Sequence, residues 1–365
     1  MRLRTLSKKG SKLQKRTRID ETDAKILKIL LKESRTSFTE IAKNCKISVG
    51  AVRMRYKRLW KEGVIKGEVM LVNPHSLGYK YISDLGITTA VENEKEVIKF
   101  LMRKPYISQI AGPLGKYNIW AKVALYDTDN LTEILEDIET SPHIKHVDAL
   151  IWVEAINIEY PENLIINPLN TDNKQKTANN EQKTIQRIPA NNAQKTRIQI
   201  DETDRKIAII LSQNSRTPFR KIAQQLKISP KNVIQRYKRL RENVLTLSTI
   251  TVDLNKLGYE AMASVFVKAA NRSKMSEIHA QMLQIPNLIV SIRLIGAYDL
   301  YTAIVLRDFK ELFNAQEQIR RIKHIEKTDI FLTPNVPAWP LNLFPSLLQS
   351  EFMRPKIAFE KPNGI

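Results

Sequence analysis

The sequence predicts an α+β fold built twice over from one unit. Three observations predict it. Residues 19–59 and 200–240 align at a constant shift of 181 and are identical at 24 of 41 positions, so the chain is an internal duplication. In each copy this stretch carries helix caps and apolar stripes at helical spacing. After it, in each copy, short apolar strand-like runs alternate with two helical runs.

The 365 residues give length for two to four domains. The 59 Lys and Arg against 38 Asp and Glu leave a formal net charge of +21, an excess that favours a polyanionic partner such as DNA, RNA or an anionic membrane surface. The single cysteine, Cys45, excludes an intrachain disulfide and a cysteine zinc cluster; Leu226 stands at its position in copy two, so it reads as a small buried apolar residue. No apolar run approaches the ~20 residues of a membrane span. Residues 1–18 hold eight basic residues, no acid and no apolar core, and read as a basic arm rather than a secretory signal.

The elements follow in order. Asp20 caps a helix whose apolar residues are Ile26, Leu27, Ile29, Leu30 and Leu31. Ser37 and Glu40 have the spacing of a capping box at the start of a second helix. In copy two Thr217 precedes Pro218, placed at the first helical position. A short turn, Lys-Ile-Ser, leads in both copies to a third helix capped by Ser48 or Ser229, with Pro230 in its first turn. Val52, Tyr56 and Leu59, at i, i+4 and i+7, form its buried stripe. The other face shows Arg53, Met54, Arg55, Lys57 and Arg58. In copy two it shows Lys231, Asn232, Gln235, Arg236, Lys238 and Arg239. Two helices joined by a tight turn, the second one basic, form a helix-turn-helix whose second helix fits the DNA major groove. Basic flank residues neutralise phosphates and the first two turns reach base edges. Asn232 and Gln235 are the candidates for adenine, which amides bond in a bidentate way. The helix-turn-helix domains are set at residues 19–72 and 198–252.

Residues 73–160 and 253–335 follow the order β-α-β-β-α-β of a ferredoxin-like module. Helices cover one face of such a sheet, so the other face needs a partner; the second copy can supply it. Residues 161–197, rich in Asn, Lys, Gln and Thr, read as a flexible linker with a typical span of about 35 Å. Residues 336–365 form a C-terminal tail with a Pro-rich start.

Each copy resembles the Lrp/AsnC (feast/famine) family of transcriptional regulators. The resemblance rests on the stretches IDETDAKILKILL, SRTSFTEIAKNCKIS, RYKRLWKEGVI, NPHSLGY and GKYN in copy one, and IDETDRKIAIIL, RYKRL and GAYD in copy two. It implies two winged helix-turn-helix DNA-binding domains and two ferredoxin-like βαββαβ domains in tandem. It implies double-stranded DNA as partner, pairing of the two copies within the chain, assembly into homo-oligomers, and a cytoplasmic place at the nucleoid. It also implies an amino acid effector near a turn that maps to Gly296, Tyr298 and Asp299 in copy two and Gly115, Tyr117 and Asn118 in copy one. An Asp there can hold an ammonium group by charge and an Asn cannot, so the effector is expected in copy two. No cofactor or metal is implied.

Two rival readings share the architecture. Some two-unit relatives are sirohaem decarboxylases, and Tyr117–Trp120 is reminiscent of them. Residues 107–118 and 289–299 nevertheless lack the histidine such enzymes use, and His143, His146, His279 and His324 fall at helix or strand ends. The second rival is an architectural DNA-compacting protein without an effector. No phosphate-binding loop, dinucleotide fingerprint or catalytic triad is present in the sequence.

Overall fold

The computed structural model describes residues 17–112, 115–157, 164–165, 186–188, 200–334 and 336–349. The basic arm before residue 17, most of the expected linker and the tail after residue 349 lie outside the described residues.

Copy one begins with α1 (Glu21–Lys32), α2 (Phe38–Cys45), α3 (Val49–Lys61) and β1 (Ile65–Val72). A ferredoxin-like module follows: β2 (Tyr81–Thr89), α4 (Glu94–Met102), β3 (Ile107–Ala111), β4 (Ile119–Leu125), α5 (Thr128–Glu139) and β5 (Ile144–Asn157). Within the expected linker, β6 (Gln186–Ile188) pairs with β5. Copy two repeats the order with α6 (Glu202–Gln213), α7 (Phe219–Leu226), α8 (Pro230–Asn243), β7 (Leu245–Val252), β8 (Ala261–Ala269), α9 (Met275–Met282), β9 (Leu288–Ile295), β10 (Leu300–Leu306), α10 (Phe309–Arg320) and β11 (Ile325–Pro334).

The caps are where the sequence puts them, with two differences. Asp20 and Asp201 each form a reciprocal capping box with the aspartate three residues on, satisfying two orphan N–H groups at each helix start. Ser37 accepts from the Glu40 N–H without the return bond. Pro218 is the residue before α7 rather than its first helical residue. The turn into each recognition helix is made by a lysine in the left-handed conformation, Lys46 at φ 54° and Lys227 at φ 55°.

Neither helix-turn-helix forms its own wing among the described residues. Each contributes one strand, and β1 and β7 pair antiparallel across the two copies. The exchange extends to the cores. Ile26, Leu27, Leu30 and Leu31 of α1 share one apolar cluster with Ile250 and Val252 of β7. Ile207 and Leu211 of α6 share another with Met70 and Val72 of β1. Each full burial of such a side chain contributes about 1.5–3 kcal/mol, so neither helix domain has a complete core without the other copy.

The modules pair in the same spirit. Strand order is β3-β4-β2-β5 in copy one and β9-β10-β8-β11 in copy two, and β5 joins β9 to make one continuous sheet. The helices cover the outer faces, through Val97, Leu101, Ile134 and Ile138 in copy one and Ile278, Met282, Ala315 and Ile319 in copy two. The inner faces meet each other. Trp120 lies 5.5 Å from Phe266, ring centroid to centroid, and Leu150, Trp152, Ile292, Leu294 and Tyr298 complete the layer. The two outer strands of the sheet are β3 and β11. Where β5 has Val153 and Ile156, copy two has Pro334 and Pro337, and proline offers no N–H to extend a ladder. After β11, Trp339 bridges to Val252, and Leu347 and Leu348 pack into the cluster that holds α6.

Candidate nucleic-acid interface

The recognition helix α3 is fixed on three sides, and α8 repeats its apolar and ionic anchors. Val52 and Leu59, and Val233 and Leu240, are buried. Tyr56 is half-buried, and its hydroxyl donates to Glu68 of β1. The third anchor is ionic. Arg55 donates to Asp20 and Asp23 (2.6 and 2.9 Å), and Arg58 donates to Asp23. Arg236 and Arg239 do the same with Asp201 and Asp204. Four arginines expected on DNA thus spend their guanidinium groups on the start of the first helix. The physical reason is that Asp23 and Asp204 are buried carboxylates, and an unpaired buried charge is costly. Burial alone would raise the Asp201 carboxyl, but hydrogen bonds from Arg236 and from the Asp204 and Thr203 backbone hold it below the usual carboxylate range. Asp20 is held low by the Asp23 N–H and by Arg55 against the same effect of burial.

What remains open on the helices is small and specific. Ser48 and Ser229 cap them through their side chains and are exposed. Arg53, Met54 and Lys57 project from α3, and Lys231, Asn232, Ile234, Gln235 and Lys238 from α8, and Arg239 stays exposed beside its ion pair. Met54 is 68% exposed. Asn232 is partly committed, because its Oδ1 accepts from Arg236 Nε (2.7 Å); its amide N–H groups remain as donors. Ile234 was not singled out by the sequence pattern; its exposure in a helix otherwise polar on that side is the signal.

The two helix-turn-helix units are locked together about a local pseudo-twofold axis. Ser34 Oγ lies 2.6 Å from Ser215 Oγ, its equivalent in the other copy, and both residues are buried. Arg35 donates to the carbonyls of Ser215 and Thr217, and Arg216 to those of Ser34 and Thr36. Each guanidinium also lies over an aromatic ring of the other copy, Arg35 4.2 Å from the Phe219 centroid and Arg216 4.8 Å from that of Phe38. These four residues were missed as functional positions. The repeated Ser-Arg-Thr tripeptide between two apolar helices was the available sign.

The turns expected to lie near an effector sit where the two modules meet. A Cβ on Gly296 would come within 2.5 Å of the Ala149 carbonyl, and one on Gly115 within 2.7 Å of the Phe331 ring. Both glycines have positive φ and mark a close approach of one copy to the other. Tyr117 donates to Asp148 (2.7 Å) and Tyr298 to Asp329 (2.6 Å). Asn118 accepts from the Thr89 N–H and donates to Glu94. Asp299 is buried, accepts from the Ala269 N–H (3.0 Å) and receives Arg272 Nε (2.8 Å). The carboxylate expected to receive an ammonium group is therefore spent inside its own module. The Asn-to-Asp exchange follows its neighbours, Glu94 beside Asn118 and Arg272 beside Asp299, which is local charge matching.

The family comparisons agree with this geometry. Residues 19–66 match the family described as winged helix-turn-helix DNA-binding, and residues 200–241 the AsnC-type helix-turn-helix domain. The chain is 38% identical over 119 residues to the HTH-type transcriptional regulator LrpA of Pyrococcus horikoshii, a match spanning 33% of this chain and 84% of that protein. The chain belongs to the Lrp/AsnC family. A second Lrp/AsnC relative, the regulatory protein AsnC of Haemophilus influenzae, is 30% identical over 138 residues, 37% of this chain and 92% of that protein. Each match is about the length of one unit, so the tandem chain carries two Lrp/AsnC units where these relatives align to one.

At the level of the whole chain, the crystal structure of the siroheme decarboxylase NirDL superposes with a TM-score of 0.58 at 16% identity, covering 86% of this chain and 91% of that one. That likeness shows a shared two-unit fold. Of the histidines weighed above, His143, His146 and His279 have protein partners, and His324 is exposed. His143 faces Glu96 at 3.1 Å, His146 faces Asp148 at 3.2 Å, and His279 bonds Ser291 at 2.8 Å. Among the described residues no cluster of three or more His, Cys, Asp or Glu has metal-holding geometry, and no helix is long and apolar enough to cross a membrane. Cys45 is half-buried rather than fully buried.

Proposed function

We propose that this chain is a transcriptional regulator that binds double-stranded DNA with both recognition helices at once, at the nucleoid in the cytoplasm. The observation that carries the reading is the lock between its two helix-turn-helix units. The β1–β7 pair and the Ser34–Ser215 contact hold α3 and α8 as a pair within one chain, the arrangement in which a dimeric helix-turn-helix protein addresses two half-sites. The open faces of both helices carry cations and base-reading side chains, and a net charge of +21 favours the polyanion. Lys57 and Lys238 are exposed at equivalent positions and serve as phosphate contacts. A non-enzymatic role fits the engagement of His143, His146 and His279 with protein groups. Assembly of several chains on DNA accords with the family.

The test is binding to duplex DNA over a range of salt. Lys57→Ala and Lys238→Ala should each weaken binding on all sequences and reduce the slope of log K against log salt by about one per lost contact. Affinity and slope unchanged in both variants would remove these faces from the interface. A footprint on genomic fragments separates this reading from its rivals: a regulator protects defined sites, a compacting protein protects DNA without preference, and a decarboxylase protects none.

A further inference from the structure

The two recognition helices agree where they are anchored and differ where they are open. Ser48 and Ser229, Val52 and Val233, Arg55 and Arg236, Tyr56 and Tyr237, Lys57 and Lys238, Arg58 and Arg239, and Leu59 and Leu240 are identical pairs. Each holds the helix in place, caps it, or sits at its phosphate-facing flank. Within the first two turns, past Val49 and Pro230 that open the helices, the other positions diverge: Gly50 against Lys231, Ala51 against Asn232, Arg53 against Ile234 and Met54 against Gln235. Gly50, Arg53 and Met54, and all four of the copy-two residues, are exposed. None of these exposed positions contributes to the apolar clusters that build the fold, so packing does not explain the divergence.

The divergent chemistry is of the kind that tells base pairs apart. An arginine donates in a bidentate way to guanine O6 and N7, and an apolar side chain meets the thymine methyl. Copy one offers both, at Arg53 and Met54. Glutamine and asparagine bond the N6 and N7 edge of adenine. Copy two offers those, at Gln235 and Asn232, with Ile234 at the place of Arg53. A homodimer of single units presents two identical helices and so suits a palindrome. Here the lock is intrachain, and the two helices are permanently different.

We infer that this chain reads a composite, non-palindromic duplex site made of two unlike half-sites. Arg53 and Met54 read one half-site; Lys231, Asn232, Ile234 and Gln235 read the other. The inference rests on the DNA-binding reading above and adds to it the symmetry of the target.

The experiment selects binding sites for the full chain from a randomised duplex library long enough for two half-sites. Composite duplexes and both derived palindromes are then compared directly. The wild type should enrich two unlike half-sites and bind their composite at least tenfold more tightly than either palindrome. The variant Gly50→Lys, Ala51→Asn, Arg53→Ile, Met54→Gln gives α3 the reading face of α8. A Cβ on Gly50 would meet only Ser48 Oγ, at 3.9 Å, so the helix accepts the change. This variant should prefer the palindrome of the copy-two half-site. The converse variant, Lys231→Gly, Asn232→Ala, Ile234→Arg, Gln235→Met, should prefer the other palindrome. Enrichment of palindromes by the wild type, or selected sites unchanged in both folded variants, overturns the inference and leaves DNA binding standing. Salt-dependent binding without any enriched sequence also overturns it. Absence of duplex binding overturns the inference and the proposed function together.

Discussion

Asp84 and Lys122 sit directly across from each other on β2 and β4. Both are buried, they form an ion pair, Trp152 donates to Asp84 (2.7 Å), and the Lys122 ammonium lies 4.0 Å from the centroid of the Trp152 ring. Burial pushes the Lys122 ammonium pKa down, and Asp84 opposes that. Copy two places Ser264 and Ala303 at the same cross-strand position. Removing one partner leaves a buried charge uncompensated, so Lys122→Ala alone should cost about 3–5 kcal/mol. The double change Asp84→Ser, Lys122→Ala should cost much less. Denaturant titrations of both variants check this, and equal losses would deny the coupling. At Asp299 the expected effect of Asp299→Asn is on folding, because the neutral amide weakens the bond from Arg272. A loss of roughly 1–2 kcal/mol is expected, seen as a lower unfolding midpoint. An unchanged midpoint would reopen the turn to other roles.

Among the elements, the joint between the first and third helix of each domain is pH-sensitive. Asp20 and Asp201 have folded carboxyl pKa values below their ordinary ones. Such groups supply stability that is present above the unfolded value and lost as pH falls through the folded one. The helix domains should therefore keep their thermal midpoint from neutrality down to about pH 5, then weaken below about pH 4. Other carboxylates, among them Asp137 and Asp148, are lowered as well, so the discriminating measurement is a difference. Asp20→Asn with Asp201→Asn should give a shallower acid limb in circular dichroism melts. A limb as steep as in the wild type would place the acid sensitivity elsewhere. The capping aspartates and the apolar stripes were readable because caps and stripes are local, set by residues three or four apart. The ion pairs were not. Asp23 and Arg58 are 35 positions apart, and only helix packing brings them together.

For the whole molecule, the decisive property is that each copy completes the other. The helix domains exchange strands and core residues, and the modules share one sheet and one aromatic layer. A protease site inserted between residues 171 and 180 should therefore yield two halves that stay together. Size exclusion after cleavage should give one peak of the uncut size, and separation into two species would show that the pairing depends on covalent linkage. Proteins whose halves are held by shared cores behave as one cooperative unit, so a single thermal transition should persist after cleavage.

The duplication, the helix-turn-helix and the order of the ferredoxin-like elements followed from the sequence alone, because each rests on local periodicity, capping and repeated identity. Membership of the fold's two-unit class was legible for the same reason. The roles of individual site residues depended on distance in space. Arg55, Arg58, Arg236 and Arg239 look like DNA contacts on a helical wheel, and the structure turns them onto buried aspartates. Asp299 looks like a ligand for an amine, and the structure gives it the Ala269 N–H and Arg272 as partners. Ser34, Arg35, Ser215 and Arg216 carry no role legible in the sequence, and the structure places them at the local pseudo-twofold axis between the helix-turn-helix units. Sequence sets which groups a segment carries, since propensity and pattern act over a few residues. The partner that satisfies each buried charge or donor comes from tens to hundreds of positions away, and only the packed chain decides it.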